Sequence, residues 1–417
     1  MSRFHNGEKT FPTQENKQVM NIREITNDVY YVGVNDRTTD RFEGLWPLPN
    51  GVSYNSYIVK GQEKTALIDS VEVGYVQNSI RAILSEIGNE KIDYLVVNHM
   101  EPDHSGGIPV MLAQFPELKV VGNKQTIVMI KGFYHITDDD RFMEISDGAT
   151  IDLGGKSLKF ILTPMVHWPE TMMTYVEEDG VLFSGDAFGC FGALNGGVVD
   201  EEMNTDWYWD EMYRYYSNIV GKYGKFVQKA MEKTSGCKVK YLCSTHGPVW
   251  HKELKKVVEI YDRLSKYESE AGVTIVYGSM YGNTGEIAEE IARQLAARGI
   301  KNIKIHNANK DELSYMISDA FRYEGLIVGG PTYSMHLFPP VEAFMIAMET
   351  REIKNKVMAT FGSFTWASAA AKSLGEYLGK MKAEPIATLE MKHSAKESTY
   401  KEIETMVDKF VAELRLK

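Results

Sequence analysis

The chain has 417 residues, of which 43% are hydrophobic and 25% charged, and its formal net charge is −11 at pH 7. This length predicts two domains, because one hydrophobic core rarely extends over so many residues. The acidic balance argues against a general nucleic-acid-binding role, which needs a basic surface. No apolar run approaches the roughly 18 residues of a membrane span, so we expect no membrane association.

The cysteines and the first twenty residues indicate where the protein works. Cys190, Cys237 and Cys243 form no CxxC pair, which favours a reducing cytoplasm. Three thiols are too few for a four-thiolate rubredoxin-type site within the chain. Residues 1–20 are polar and contain no apolar segment, so they predict a leader that is not a secretory signal.

Residues 21–268 have the pattern of many short strands separated by turns. Predicted strands lie at 29–32, 57–59, 65–69, 158–162 and 181–184. A helix is predicted over 76–87. The apolar spacing within 252–269 predicts an amphipathic helix, and we expect this helix to end the first domain.

A dense group of potential metal ligands follows the mostly apolar run 92–97. The group comprises His99, Glu101, Asp103 and His104, and further candidates at later strand ends are His167, Asp186 and His246. Any one of these histidines could be an ordinary core or surface residue. Their order, and their positions after predicted strands, favour instead a shared two-metal site at one edge of a β-sandwich.

The types of ligand indicate which metal is expected. The order of the ligands resembles the metallo-β-lactamase superfamily, but Glu101 stands where its zinc hydrolases have histidine. Mixed carboxylate and imidazole ligation suits iron or manganese. Asp186 is the natural bridge between two metals, because one carboxylate has two oxygens. Glu101 adds negative charge, which helps to stabilise a ferric ion in a redox site.

Beyond residue 270 the pattern changes to strands that alternate with helices, which predicts a parallel, doubly wound sheet. The predicted strands are 273–277, 303–305, 325–329 and 356–360, and the predicted helices lie at 287–296, near 312–320 and from 340 onward. The carboxyl ends of such strands meet at one edge, where this class of sheet binds its ligand.

Three loops at that edge predict a phosphate and aromatic-ring site. The first consists of Ser279, Met280, Tyr281, Gly282, Asn283 and Thr284, and the others contribute Pro331, Thr332, Tyr333, Ser363, Phe364, Thr365 and Trp366. The first loop opens a helix, whose N-terminus attracts anions, and it resembles the flavodoxin loop that wraps the FMN phosphate. A capped helix without a ligand would look similar, and the aromatic residues could flank a flavin ring or belong to the core.

Together these motifs resemble the flavodiiron proteins, or A-type flavoproteins, in their minimal two-domain form. The resemblance implies an α/β and α+β fold, with a metallo-β-lactamase-like αββα sandwich over 21–268 and a flavodoxin-like FMN domain over 270–417. It implies that one iron takes His99, Glu101 and His167, that the other takes Asp103, His246 and, less uniformly in the family, His104, and that Asp186 bridges them. It also implies a head-to-tail homodimer, or a dimer of such dimers.

By the same resemblance, the protein is an oxidoreductase that reduces O2 to water and/or NO to N2O, scavenging these gases in an anaerobic or microaerobic cell. The electron count agrees, because two ferrous ions and a reduced flavin together supply the four electrons that convert O2 to water. A metallo-β-lactamase-type hydrolase with an accessory flavodoxin domain is the alternative. An electron-transfer flavoprotein with a degenerate metal site is a third reading, which the complete ligand set disfavours.

The resemblance also implies a separate electron donor, such as a rubredoxin. Four lysines in the second half could form a docking patch for it, or could simply be a solvated face: Lys372, Lys380, Lys382 and Lys392.

Overall fold

The computed structural model describes residues 22–88 and 90–414, so the predicted leader at 1–20 lies outside the described residues. The strands of the first half are β1 (Arg23–Thr26), β2 (Val29–Tyr31), β3 (Val34–Asp36), β4 (Arg41–Phe42), β5 (Trp46–Pro47), β6 (Val52–Tyr54), β7 (Tyr57–Lys60), β8 (Thr65–Ile68), β9 (Tyr94–Val96), β10 (Lys119–Gly122), β11 (Phe142–Glu144), β12 (Thr150–Asp152), β13 (Ser157–Leu162), β14 (Met172–Val176), β15 (Val181–Gly185) and β16 (Tyr241–Ser244).

The helices of the first half are α1 (Val76–Ile87), α2 (Pro102–Ser105), α3 (Ile108–Gln114), α4 (Lys124–Tyr134), α5 (Asp206–Tyr215), α6 (Gly224–Thr234) and α7 (Leu254–Ser265). A π-helical turn, Tyr216–Val220, continues α5. Short 3₁₀ turns lie at Val73–Tyr75, Asp139–Arg141, Asp200–Glu202 and Gly221–Tyr223. None of the helices in the described part of the chain has the length and hydropathy needed to cross a bilayer.

Two sheets pack face to face in this half. One runs in the order β1-β2-β7-β8-β9-β10-β11 and the other in the order β12-β13-β14-β15-β16, while β3 pairs with β6 and β4 with β5. Successive side chains of a strand point to opposite faces. Within β8, Leu67 therefore packs with Ile83 of α1 on the helix side, whereas Ile68 packs with Phe183 of β15 between the sheets. This arrangement confirms the predicted αββα sandwich.

The second half is a doubly wound sheet. Its elements are β17 (Glu270–Tyr277), α8 (Asn283–Ala297), β18 (Ile303–Asn307), α9 (Leu313–Arg322), β19 (Tyr323–Tyr333), β20 (His336–Leu337), α10 (Pro339–Thr350), β21 (Val357–Phe364), α11 (Ala370–Lys380), β22 (Thr388–Lys392) and α12 (Glu397–Glu413). The parallel strands run in the order β18-β17-β19-β21-β22. The strand order reverses at β17, and a crevice for ligands is expected at the carboxyl ends there.

Several element boundaries differ from the predicted ones, with local physical causes. The helix predicted over 252–269 spans only Leu254–Ser265. The backbone N–H groups of Lys252 and Glu253, which precede it, donate to the buried carboxylate of Asp200. The strand predicted at 325–329 extends over Tyr323–Tyr333, since its last residues also pair with β20. The domain boundary near residue 269 stays a prediction.

The two halves pack tightly against each other through α5, the π-helical turn and α9. Arg214 of α5 is 2% exposed, and its guanidinium stacks over Phe191 at 4.3 Å and over Tyr315 of α9 at 4.8 Å. Its hydrogen-bond acceptors are Glu211 (2.9 Å from Nε), the carbonyl of Pro47 (2.9 Å) and the hydroxyl of Ser314 (3.3 Å). The buried guanidinium of Arg214 therefore lies between the halves and donates hydrogen bonds to acceptors in both of them.

Candidate metal centre and flavin cleft

The structure brings all the predicted metal ligands to one end of the sandwich, in two groups. Glu101 immediately precedes the short helix α2, which carries Asp103 and His104. His167 lies in the turn between β13 and β14, while Asp186 follows β15 and His246 follows β16. The tight turns at the last two strands use left-handed glycines, Gly185 (φ 59°) and Gly247 (φ 79°), because L side chains rarely adopt this conformation.

The first group contains His99, Glu101, His167 and Asp186. The Nε2 atoms of His99 and His167 are 3.3 Å apart. His167 Nε2 lies 3.2 Å from Glu101 Oε2 and 3.0 Å from Asp186 Oδ2. Nitrogen and carboxylate oxygen atoms thus converge on one small volume, as the ligands of a single cation do.

The second group contains Asp103, His104 and His246. The Oδ2 atom of Asp103 lies 3.3 Å from His246 Nε2 and 3.4 Å from His104 Nε2. Asp186 reaches this group through its other oxygen, Oδ1, which lies 2.9 Å from His104 Nε2. One carboxylate thus faces both groups, an oxygen toward each, which is the geometry of a bridging ligand.

The residues present fit a pair of metal ions. Among the described residues, the carboxylate oxygens of Asp103, the ring nitrogens of His104 and Nε2 of His246 form no hydrogen bond of acceptable geometry, although all are buried and some of them lie close together. Buried polar atoms normally have a partner, because desolvating them is costly. Convergent, unpartnered ligand atoms of this kind are accounted for by cations between them.

The electrostatics of the site agree with this conclusion. Burial alone would lower the pKa of His104, but the carboxylates of Asp103 and Asp186 outweigh it and raise the pKa to about 9. Burial opposes a raised pKa at His167 too, where hydrogen bonds to Asp186 and Glu101 bring it to about 9. The carboxylates therefore strongly favour positive charge in the volume between the two ligand groups.

Residues outside the ligand set orient it, and sequence reasoning missed them. Glu170 Oε1 lies 2.8 Å from His99 Nδ1, the hydroxyl of Thr245 donates to Asp186 Oδ1 at 2.5 Å, and His246 Nδ1 donates to the carbonyl of Ser53 at 2.7 Å. Glu170 follows His167 by three residues, a spacing that could have drawn attention to it. A backbone carbonyl such as that of Ser53 leaves no signal in a sequence.

Cys190, to which the sequence assigned no role, packs beside the centre. It is fully buried, and a Cβ at Gly247 would overlap its sulfur. The thiol therefore fills the space against the turn that carries His246.

The second predicted site is a cleft of about 550 Å³ at the carboxyl ends of β17, β19 and β21. Predicted residues that line it are Ser279, Met280, Tyr281, Asn283, Thr284, Pro331, Thr332, Tyr333, Ser363, Phe364, Thr365 and Trp366. Helix α8 begins here without a side-chain cap among the described residues, so its first N–H groups are available to a phosphate. Tyr281 is 89% and Trp366 88% exposed, so neither belongs to the core.

One predicted cleft residue acts differently and several were missed. Gly282 does not line the cleft; its φ of 98° shapes the turn before α8, and its N–H donates to the hydroxyl of Ser279. Lining residues that sequence reasoning missed are Ser334, Met335, Ala367 and His393. His393 follows β22 directly, so its place at the carboxyl end of the next strand was a usable signal.

Comparisons with known proteins match both halves. Residues 52–247 match the ODP family beta lactamase, and residues 275–405 match flavodoxin. An anaerobic nitric oxide reductase flavorubredoxin of Escherichia coli O1:K1 is 32% identical over 359 residues, which cover 85% of this chain and 74% of that protein.

Solved structures agree over nearly the whole chain. The rubredoxin oxygen:oxidoreductase of Desulfovibrio gigas has a TM-score of 0.89 at 27% identity, covering 94% of this chain and 98% of its own. The flavodiiron protein of Giardia intestinalis has a TM-score of 0.88 at 25% identity, covering 94% and 97%. This chain is accordingly an oxidoreductase whose cofactors are FMN and two non-haem iron ions. It belongs to the flavodiiron protein family.

Proposed function

We propose that this protein reduces O2 to water, NO to N2O, or both, at a diiron centre that receives electrons from FMN. The observation that supports it is the shared carboxylate of Asp186, whose two oxygens face the two ligand groups. When bound, the irons and the flavin together supply four electrons, which equals the requirement for O2 and exceeds that for two NO molecules.

We assign His99, Glu101 and His167 to one iron and Asp103, His104 and His246 to the other, with Asp186 between them. The assignment of His104 follows from its Nε2, which lies among the second group at 2.9 Å from Asp186 Oδ1. These residues hold the metals, and their surroundings exclude water. Trp168 meets His99 edge to face at 5.3 Å, and Phe42 meets His246 in the same way at 5.4 Å.

The charge around the centre is compatible with a small neutral substrate. Among the described residues, the ion-pair partners of Glu101, Asp103 and Asp186 are histidines of the site. When bound, two ferrous ions would more than balance the negative charge of these three carboxylates. O2 and NO carry no charge, so their binding requires no additional lysine or arginine.

We further propose a head-to-tail homodimer, or a pair of such dimers, in which each flavin cleft lies against the partner's metal centre. The rim of the cleft exposes apolar side chains that a second chain would cover: Tyr281, Trp366 and Met335, the last 56% exposed. Exposed apolar surface of this kind commonly marks an interface.

The electron donor in this proposal is a rubredoxin-like protein in the cytoplasm. The four lysines predicted as a docking patch present less unpaired positive charge to such a donor than the sequence suggests. Lys372 pairs with Glu376 at 3.8 Å and Lys380 with Glu349 at 3.5 Å, so an electrostatic docking role would rest mainly on Lys382 and Lys392.

The experiment that tests the function is metal analysis combined with gas consumption. Protein produced with iron available should contain two irons and one FMN per chain, and the reduced enzyme should consume O2 or NO at an electrode. His99→Ala and Glu101→Ala should abolish consumption and retain FMN, because the cleft is built from other residues. His251→Ala, which removes a histidine outside both ligand groups, is the matched control and should remain active.

Two outcomes would contradict this function. Two zinc ions per chain without gas consumption would favour the hydrolase alternative. Undiminished turnover by purified His99→Ala protein would show that the reaction takes place elsewhere.

A further inference from the structure

The two ligand groups differ in what contacts the outer nitrogens of their imidazoles. His99 Nδ1 lies 2.8 Å from the carboxylate of Glu170, which is 1% exposed. His246 Nδ1 instead contacts a neutral backbone carbonyl, that of Ser53, at 2.7 Å. A second buried carboxylate, Asp69, lies near His104, but it accepts its hydrogen bonds from Asn98, and His104 Nδ1 has no hydrogen-bond partner among the described residues. The His99 side therefore has a buried negative charge in direct contact with one of its imidazoles.

The bridging carboxylate shows the same asymmetry. Its Oδ1 atom, which faces His104, accepts a short hydrogen bond of 2.5 Å from the hydroxyl of Thr245. A donor on a carboxylate oxygen withdraws electron density from it. Asp186 would therefore be a weaker ligand toward a metal in the second group than toward one in the first.

Glu170 is held in a way that keeps its charge directed at His99. A single oxygen, Oε1, contacts both His99 Nδ1 and the backbone N–H of Met100, which donates to it at 2.9 Å. Among the described residues, nothing donates a hydrogen bond to the other oxygen, Oε2, although it is buried. The negative charge of Glu170 is therefore balanced mainly by its hydrogen bond with the imidazole of His99.

We propose that Glu170 is a positioning residue that fixes His99 with Nε2 directed at the metal and lowers the reduction potential of the iron on the His99 side. A carboxylate that accepts from Nδ1–H sets the tautomer of the imidazole and makes Nε2 a stronger donor. A more basic Nε2, with the negative charge of Glu170 behind it, stabilises the ferric ion relative to the ferrous ion. The reaction affected is the one-electron reduction of ferric to ferrous iron, with reduced FMN as the reductant. This inference rests on the proposed diiron function.

The test is Glu170→Gln, which can keep both contacts of Oε1 through its amide oxygen while removing the charge. We expect it to retain two irons and FMN, to show a higher reduction potential for the diiron centre in a spectroscopic redox titration, and to leave the FMN potential unchanged. Asp200→Asn is the matched control: Asp200 is also a buried carboxylate that accepts backbone N–H groups, but it belongs to neither ligand group. Its diiron potential should equal that of the wild type.

An unchanged diiron potential in iron-replete Glu170→Gln protein would overturn the proposal. If Glu170→Gln protein loses iron, the redox titration is replaced by a measurement of Zn²⁺ affinity, made on the metal-free wild type and on both Glu170 variants. A roughly 10- to 100-fold weaker affinity in Glu170→Ala, with a smaller loss in Glu170→Gln, would support the positioning role, whereas unchanged affinity in both would refute it. Absence of a diiron centre from the wild type would refute the proposed function instead.

Discussion

Asp36 is the last residue of strand β3 and is fully buried. Its carboxylate accepts hydrogen bonds from the backbone and hydroxyl of Thr39 and from the hydroxyl of Tyr75 at 2.7 Å. Burial alone would raise the pKa of Asp36, but these bonds and that from Thr38 lower it to about 2. The folded state therefore binds a proton at this group less readily than the unfolded state does.

A depressed carboxyl pKa stabilises the fold above the unfolded value of 3.8, and the contribution is lost as the pH falls toward about 2. We expect Asp36→Asn to lower the free energy of unfolding by a constant amount from about pH 5 to 7. The difference from wild type should shrink between about pH 4 and 2, as the wild-type carboxylate becomes protonated. Urea unfolding at several pH values measures this, and a difference independent of pH would contradict the role of the charge.

Single residues also show how far sequence reasoning reaches. The clustering of the candidate ligands was predictable because each is a distinctive residue type near a strand end, as His167 and Asp186 illustrate. Glu170 and Thr245 were not predicted, because glutamate and threonine are common residue types, and the type alone does not show whether the side chain lies at the surface or contacts a metal ligand. Their roles depend on contacts between segments that lie 71 and 59 residues apart.

At the scale of elements, the phosphate loop and the strand ends form one connected unit. The hydroxyl of Thr284, 2% exposed, shares a hydrogen bond of 2.8 Å with Ser363 at the end of β21. Asn283 is the first residue of α8 and lines the cleft. Thr284 therefore both joins two loops and lies at the helix N-terminus that we expect to bind the phosphate.

We expect the double variant Asn283→Ala/Thr284→Ala to lose FMN affinity, because it removes polar groups at the phosphate position and the link to Ser363. Fluorescence titration of the apoprotein with FMN measures the dissociation constant, and iron content should stay at the wild-type value. Thr274→Val, a change at a buried threonine within β17, serves as the control. Unchanged FMN affinity in the double variant would show that the phosphate binds elsewhere.

Elements themselves were predicted where the periodicity is long, and α1 has the predicted bounds of 76–87. The start of α7 was misplaced because the apolar pattern cannot show that Asp200 captures the preceding N–H groups. The π-helical turn after α5 was not predicted either. It lies at the contact with α9, and packing between such distant segments leaves no pattern in the sequence.

At the scale of the whole molecule, Arg214 and Glu211 form a buried ion pair between the halves. We expect Arg214→Ala to lower the free energy of unfolding by about 3–5 kcal/mol, because it leaves the Glu211 carboxylate buried without a charged partner. The double variant Arg214→Met/Glu211→Leu should recover much of that loss, since it removes both charges and keeps the volume. Chemical denaturation of the cofactor-loaded proteins gives these values, and equal losses in both variants would contradict the argument.

The two-domain organisation and both fold types were predictable from the change of pattern near residue 270. The packing between the halves was not. Arg214 contacts Pro47 and Ser314, which lie 167 and 100 residues away in the chain. The periodicity of apolar residues within an element cannot predict contacts between such distant segments.

The contact between the halves also bears on how electrons would travel in the proposed reaction. Glu270 at the start of β17 accepts from Arg263 of α7 at 2.7 Å and from Arg322 of α9 at 2.8 Å, and it also accepts from Tyr213 of α5. Swinging the flavodoxin half on a hinge would break this network and expose the buried pair at Arg214. We therefore expect the flavin cleft to keep its position relative to the first half. In the proposed reaction, electron delivery would then depend on how the halves and chains pack and not on domain motion.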